Sequence, residues 1–136
     1  MKTIARTLLL LATLSGTPAL AADVQVIAHP AVTAELSASD VKDIFLGAKS
    51  AIGGTPVEPV LSSAAAHEPF LKTYVGKTDQ GLRNHLKALV FTGKASMPKS
   101  FASDAEVIKY VAATKGAIGY VTAGADATGV KKIQVR

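Results

Sequence analysis

The order in which apolar segments recur constrains this chain most. Runs with strand character are kept apart by stretches with helical spacing. "VQVIAH" (residues 24–29) alternates in part and is rich in β-branched residues, a strand pattern that His29-Pro30 closes. "SASDVKDIFLG" (residues 37–47) then reads as a capped helix of barely two turns. Ser37 offers a hydroxyl to the first free amides, and Asp40 stands three positions on, the acidic half of a capping box. Val41, Ile44 and Phe45 fall at i, i+3 and i+4 and form one apolar stripe. Gly47 can adopt the left-handed conformation that ends a helix. So short a helix connects elements and positions the loop after it.

The pattern continues to the C-terminus. Gly53-Gly54 marks a turn, and residues 57–61 form a strand whose Pro59 suggests an edge or irregular position. Residues 64–75 are helical, with Phe70, Leu71, Tyr74 and Val75 apolar and Gly76 as the stop. Residues 78–93 form another helix, with Leu82, Leu86, Leu89 and Val90 on one side. "FTGKASMPKSF" (residues 91–101) is a turn-rich loop whose Lys94 and Lys99 are solvated or meet an anion. Ser103 and Glu106 set up a second capping box ahead of Val107, Ile108 and Val111. Lys115 and Gly116 close that helix, "AIGYV" (residues 117–121) is a buried strand, and "VKKIQV" (residues 130–135) alternates as the last strand. Strands separated by helices predict an α/β domain, with a mostly parallel sheet flanked by helices. Val41, Ile44, Phe45, Ile118 and Val121 are expected to be buried together.

The N-terminus has a different character. Lys2 and Arg6 precede a compact apolar run, residues 8–14, and Ser15-Gly16-Thr17-Pro18 breaks it before Ala19-Leu20-Ala21. A basic start, a short apolar centre and a small-x-small site are the parts of a secretory signal peptide. A spanning helix needs about 20 apolar residues, so this run is too short to cross a bilayer alone. Residues 1–21 are therefore read as a cleaved signal and residues 22–136 as one domain. Taking 21 of the 136 residues away leaves 115. Two of the fifteen basic residues and none of the ten acidic ones leave with the signal, so the net charge falls to +3. Scattered lysines and only 5% aromatics give neither a basic stripe nor a stacking platform, and no nucleic-acid partner is expected. The absence of cysteine excludes disulfides, thiolate metal sites and a lipid-modified cysteine. These features describe a soluble, exported, periplasmic protein.

The succession "LSASDVKDIFLGAKS", "PVEPVLSS", "PFLKTYVG", "LVFTGKASMPKSF" and "SDAEVIKYVAATKGAIGYV" resembles the phosphate-type substrate-binding proteins of bacterial ABC transporters. It is most similar to short, stand-alone relatives that keep about one lobe of the periplasmic-binding-protein fold. The resemblance runs from about Val24 to Val121, and "DIFLG" and "GAIGYV" are its specific parts. It implies a grip on a tetrahedral oxyanion by Ser/Thr hydroxyls and by amides at helix N-termini. In the family an arginine and a Ser/Gly/Thr-rich turn precede the helix that begins here near Ala64. Ser62 and Ser63 stand in that turn, but its glycines, threonine and arginine are absent, as are the tryptophans common after "IFLG".

Ser62, Ser63 and His67, one turn further on, are accordingly the candidate ligand-binding residues. Serine before a helix is also the ordinary N-cap, so a plain cap stands beside the ligand reading. No two histidines share a metal spacing such as H-x-x-x-H, and no G-x-S-x-G elbow is present. Gly76-Lys77-Thr78 lacks a P-loop's earlier glycine, because Leu71 occupies that position. No catalytic residue, metal ligand or cofactor is expected. The expected partners are a small oxyanion such as phosphate and a membrane transporter or sensor protein. A homodimer would rebuild a two-sided cleft from one-lobed chains. The alternative is a periplasmic adaptor or sensor module that kept the fold and lost the ligand. Export makes one direct prediction: mass spectrometry of secreted protein should find an N-terminus at Ala22 or Asp23, and intact residues 1–21 would refute it.

Overall fold

The computed structural model describes residues 24–33 and 35–135; the expected signal peptide lies outside them. The elements follow in the order β1 (Val24–Ala28), α1 (Ala38–Phe45), β2 (Ala51–Ile52), β3 (Thr55–Pro56), β4 (Glu58–Ser62) and α2 (His67–Phe70). A single π-helical turn, Leu71–Val75, extends α2; then come α3 (Asp79–Phe91), β5 (Lys99–Phe101), α4 (Asp104–Ala113), β6 (Ala117–Thr122) and β7 (Lys131–Ile133). One five-stranded sheet has the order β5-β4-β6-β1-β7, and β2 and β3 make a small separate hairpin around Gly53-Gly54. β4 pairs in parallel with β5 and β6, while β1 runs antiparallel to both β6 and β7. Four strands thus point one way and β1 alone is reversed, which agrees with the mostly parallel sheet read from the sequence.

Helices cover both faces. On one face, α1, α2 with its π turn, and α3 bury Val41, Ile44, Phe45, Phe70, Leu71, Leu82 and Leu86 against Val26, Leu61, Ile118 and Tyr120. On the other, α4 lays Val107 and Val111 over Ile27, Val60, Ala117 and Val121. Strand alternation enforces this division. Val121 lies one step out of phase with Ile118 and Tyr120, so it leaves the core it was expected to share with Val41, Ile44 and Phe45. Gly119 lets α4 come close: a Cβ there would meet Val107 Cγ1 at 3.0 Å and Val111 Cγ2 at 3.3 Å.

The capping box of α1 forms in full. Asp40 N–H donates to Ser37 Oγ at 3.1 Å, and Ser37 N–H donates to Asp40 Oδ2 at 3.0 Å. Lys49 Nζ, 2.7 Å from Asp40 Oδ1, contributes most to holding that carboxyl down at about 2, with the Ser37 amide next. The second box is altered: Ser103 Oγ accepts from Glu106 N–H at 3.2 Å, but the Glu106 carboxylate reaches back to the Ala102 amide.

Three other expectations change. β4 is an interior strand despite Pro59. The proline pairs with Ile118 of β6, and pairing with β5 starts only at Val60, so the missing N–H falls where one side is unoccupied. The stretch read as a loop contains β5, whose three residues are too few to show a period. Val90, in the last turn of α3, is 40% exposed although its spacing placed it with Leu82 and Leu86.

Three aromatic rings tie α1, α2 and β6 together. Phe70 stacks on Tyr120 at 3.8 Å between centroids, and Phe45 meets Phe70 edge-on at 4.7 Å. Phe45 is fully buried. Phe45→Ala should destabilise the fold by about 3–5 kcal/mol in denaturant melts. A loss near zero would contradict its place in this core.

Candidate functional site

Parallel strands present their ligands' usual binding place at their carboxyl ends, where adjacent connections depart to opposite faces. The chain leaves β4 toward the face carrying α2 and α3, and it leaves β5 toward the face carrying α4. Ser62 and Ser63 stand at the end of β4 as one lip of the gap between these strands, and Ala102 and Ser103 follow β5 as the other. Ser63 N–H bridges the lips by donating to the Phe101 carbonyl at 2.8 Å.

The turn after β4 is tighter than the sequence suggested. Ser62 Oγ accepts from Ala64 N–H at 3.1 Å, and His67 N–H donates to the Ala64 carbonyl at 3.1 Å. Residues 64–66 therefore form a turn, and the helix begins at His67 rather than Ala64. Pro69 falls in its first turn, where a missing N–H is tolerated. Neither the Ala65 nor the Ala66 amide meets an acceptor among the described residues. Ser62 is 1% exposed, whereas Ser63 is exposed with its hydroxyl 3.3 Å from the Phe101 carbonyl oxygen. The structure thus places Ser62 and Ser63 back to back, one turned inward and the other outward.

His67 sits at the centre of a hydrogen-bonded chain that crosses four elements. Ser62 N–H donates to Tyr120 Oη at 3.0 Å, and that hydroxyl lies 2.5 Å from His67 Nδ1. His67 Nε2 is 2.7 Å from Asp79 Oδ1, and Arg83 Nε–H donates to Asp79 Oδ2 at 2.8 Å. A carboxylate accepts only, so Nε2 carries a proton toward Asp79, while the Tyr120 hydroxyl lies between His67 Nδ1 and the Ser62 carbonyl oxygen, 3.3 Å away. Arg83 and then His67 draw the Asp79 carboxyl below the usual carboxylate range. Burial pushes the Tyr120 phenol well above its ordinary range, the Ser62 backbone opposing it.

Asp–His–Tyr has the connectivity of an acid–base triad, but its terminal hydroxyl is fully buried under Phe70. It holds the turn in place and offers no nucleophile to solvent. Asp79 and Arg83 were not singled out as site residues from the sequence, and Tyr120 was read there as core with its hydroxyl at the site rim. The i, i+4 spacing of Asp79 and Arg83 at a helix start was the one available signal. Among the described residues, no group of His, Asp and Glu could hold a metal ion.

No protein-family model and no curated protein matches the chain. Solved structures do. An ABC-type phosphate transport receptor from Vibrio cholerae superposes with a TM-score of 0.55 at 16% identity, covering 83% of this chain and 46% of that one. A putative phosphate ABC transporter substrate-binding protein from Clostridium perfringens, with bound phosphate, gives 0.60 at 16%, over 83% and 44%. A possible phosphate-binding protein from Planctomyces limnophilus gives 0.55 at 14%, over 84% and 41%. The fold is that of a periplasmic-binding-protein-like lobe. The chain spans less than half the length of these structures.

Asp79 makes the hydrogen-bonded chain pH-dependent. Its carboxyl is depressed in the folded state, so its contribution is present above the unfolded value, about 3.9, and is lost as pH falls through the lower folded value. Asp79→Asn should lower the melting temperature at pH 7, and the gap from wild type should close as pH falls below the ordinary carboxylate range. A pH-independent gap would mean that the carboxylate charge contributes nothing.

Proposed function

We infer that this chain is an exported, non-catalytic solute-binding protein for a small tetrahedral oxyanion such as phosphate, and that Ser62, Ser63 and His67 build the binding turn. The observation that carries this reading is the position of Ser62 and Ser63 at the switch point between β4 and β5, beside two amides without protein acceptors. The Ser62 hydroxyl accepts from Ala64 and keeps its own proton to donate. His67 acts through the turn: both of its ring nitrogens are engaged, and they fix Ser62 through Tyr120. The likeness to lobes of phosphate transport receptors supports the same ligand class and a membrane transporter as the next partner. In this reading residues 1–21 direct export to the periplasm. No helix among the described residues is long and apolar enough to cross a membrane.

A second reading, an adaptor or sensor module without a ligand, is favoured by the opposite lip. Asp104 and Glu106 occupy the first turn of α4 and complement its dipole with carboxylates, which repel an incoming anion. The family's arginine is also missing from the β4 turn.

Calorimetric titration of phosphate separates the two. The protein should bind with a dissociation constant on the order of micromolar to millimolar. A Ser62→Ala/Ser63→Ala variant should lose most of that binding. Equal binding by the variant would move the site elsewhere, and no binding of phosphate or sulfate by wild type would leave the adaptor reading.

A further inference from the structure

Tyr120 has one hydroxyl proton and two acceptors within reach: His67 Nδ1 at 2.5 Å and the Ser62 carbonyl oxygen at 3.3 Å. Which of them takes it depends on the charge of the imidazole. A neutral His67, with its proton on Nε2 facing Asp79, leaves Nδ1 as an acceptor, and the shorter bond forms. A second proton makes Nδ1 a donor, and the phenol then turns its hydrogen to the Ser62 carbonyl. In both states Ser62 N–H donates to the same oxygen. The backbone at the end of β4 therefore has two hydrogen-bonding arrangements that differ by one proton.

The Ser62 carbonyl and the Ser63 N–H belong to one peptide unit, and that N–H joins the two lips by donating to the Phe101 carbonyl at 2.8 Å. A bond accepted at one end of a peptide unit polarises it and strengthens the bond donated at the other. Protonation of His67 is thus passed to the gap between β4 and β5, although His67 itself is buried. Charge acts in the same direction. From α3 His67 faces Asp79, with Arg83 behind it. From β6 it faces the Tyr120 phenol and, through it, the Ser62 backbone of β4. The ring that α1 presents to this cluster, Phe45, is apolar, and Glu68, the next residue in α2, is exposed. Asp79 and Arg83 cancel while the imidazole is neutral, and the cluster gains a single positive charge when it is protonated. We propose that His67 is a proton sensor for the serine turn: taking up a proton moves the Tyr120 hydroxyl onto the Ser62 carbonyl, tightens the bridge from Ser63 to Phe101 and strengthens the hold on an oxyanion. The effect on an oxyanion rests on the function proposed above; the two changes in hydrogen bonding do not.

The test is an NMR titration of the ligand-free protein from about pH 8 to about pH 5, the range over which histidine changes charge. The His67 ring nitrogens should titrate, and the Ser63 amide proton should move downfield with the same midpoint. Asp79→Asn changes the charge beside Nε2, so the two midpoints should shift together. Tyr120→Phe keeps the ring against Phe70 and removes the hydroxyl; His67 should still titrate, and the Ser63 amide should cease to follow. If that variant does not fold, the shared midpoint in wild type and in Asp79→Asn decides. The proposal is overturned if the Ser63 amide stays still while His67 titrates, if the midpoints part in Asp79→Asn, or if the amide still follows in Tyr120→Phe. It is also overturned if His67 takes no second proton by about pH 5. A calorimetric arm reads affinity for sulfate, whose charge is constant over this range. Binding should tighten severalfold on acidification, by at most about tenfold per pH unit, the limit for one proton. His67→Gln leaves Asp104 and Glu106 on the opposite lip and should flatten that dependence. A dependence that survives it, or none in wild type, overturns the proposal. Failure of both sulfate and phosphate to bind at any pH removes the oxyanion reading, while the amide titration still decides the sensor.

Discussion

A phenol buried without partners would cost the fold heavily, and the placement of Tyr120 is the constraint on which the rest of the molecule turns. Its ring stacks on Phe70 and meets Phe45, which fixes α1 and α2 against β6. Its hydroxyl accepts from Ser62 N–H, which fixes the end of β4. The same oxygen reaches His67, and through His67 and Asp79 the start of α3 is drawn into register with the turn. One side chain therefore couples apolar packing on one face of the sheet to the polar geometry at its end. The serine turn is shaped from beneath, by groups that solvent does not reach.

The short helix α1 has its role at the other end of the same strand. Its apolar stripe reaches the core, and Gly47, at φ 78°, turns the chain where α3 crosses. A Cβ at Gly47 would come within 2.9 Å of Leu89 Cδ1. The loop that follows walls a groove at the start of β4 and does not lead to the serines. β4 thus separates two regions of different chemistry: a polar turn at one end, and at the other an apolar groove that Lys49, Lys94 and Glu58 also line.

Local chemistry was legible in the sequence, and relations between distant residues were not. Ser37 and Asp40 could be read as a box because both partners lie within one turn, and Val41, Ile44 and Phe45 because helical spacing needs no knowledge of the neighbour. The alternation of elements was enough for the fold class. Val121 was misplaced because a strand buried on both faces has no polar residue to mark its phase. Val90 was misplaced because spacing tells which side of a helix is apolar but not where its cover stops. Ser62 and His67 were found as neighbours in the chain. The Tyr120 hydroxyl that joins them comes from more than fifty residues away, and no spacing rule connects it to them.

The reversed strand β1 has a consequence for how the molecule is made. β1 lies between β6 and β7, pairing Val24 with Thr122 and Val26 with Ile133. β1 therefore has no strand neighbour until residues 117–133 exist. Closure of such long loops is entropically expensive and slow relative to local structure. A chain emerging from its N-terminus can form α1 or α3 locally, but it cannot complete the sheet that gives those helices a surface to cover. The five-stranded sheet therefore cannot be completed before residues 117–133 are made, whatever pairs form locally first.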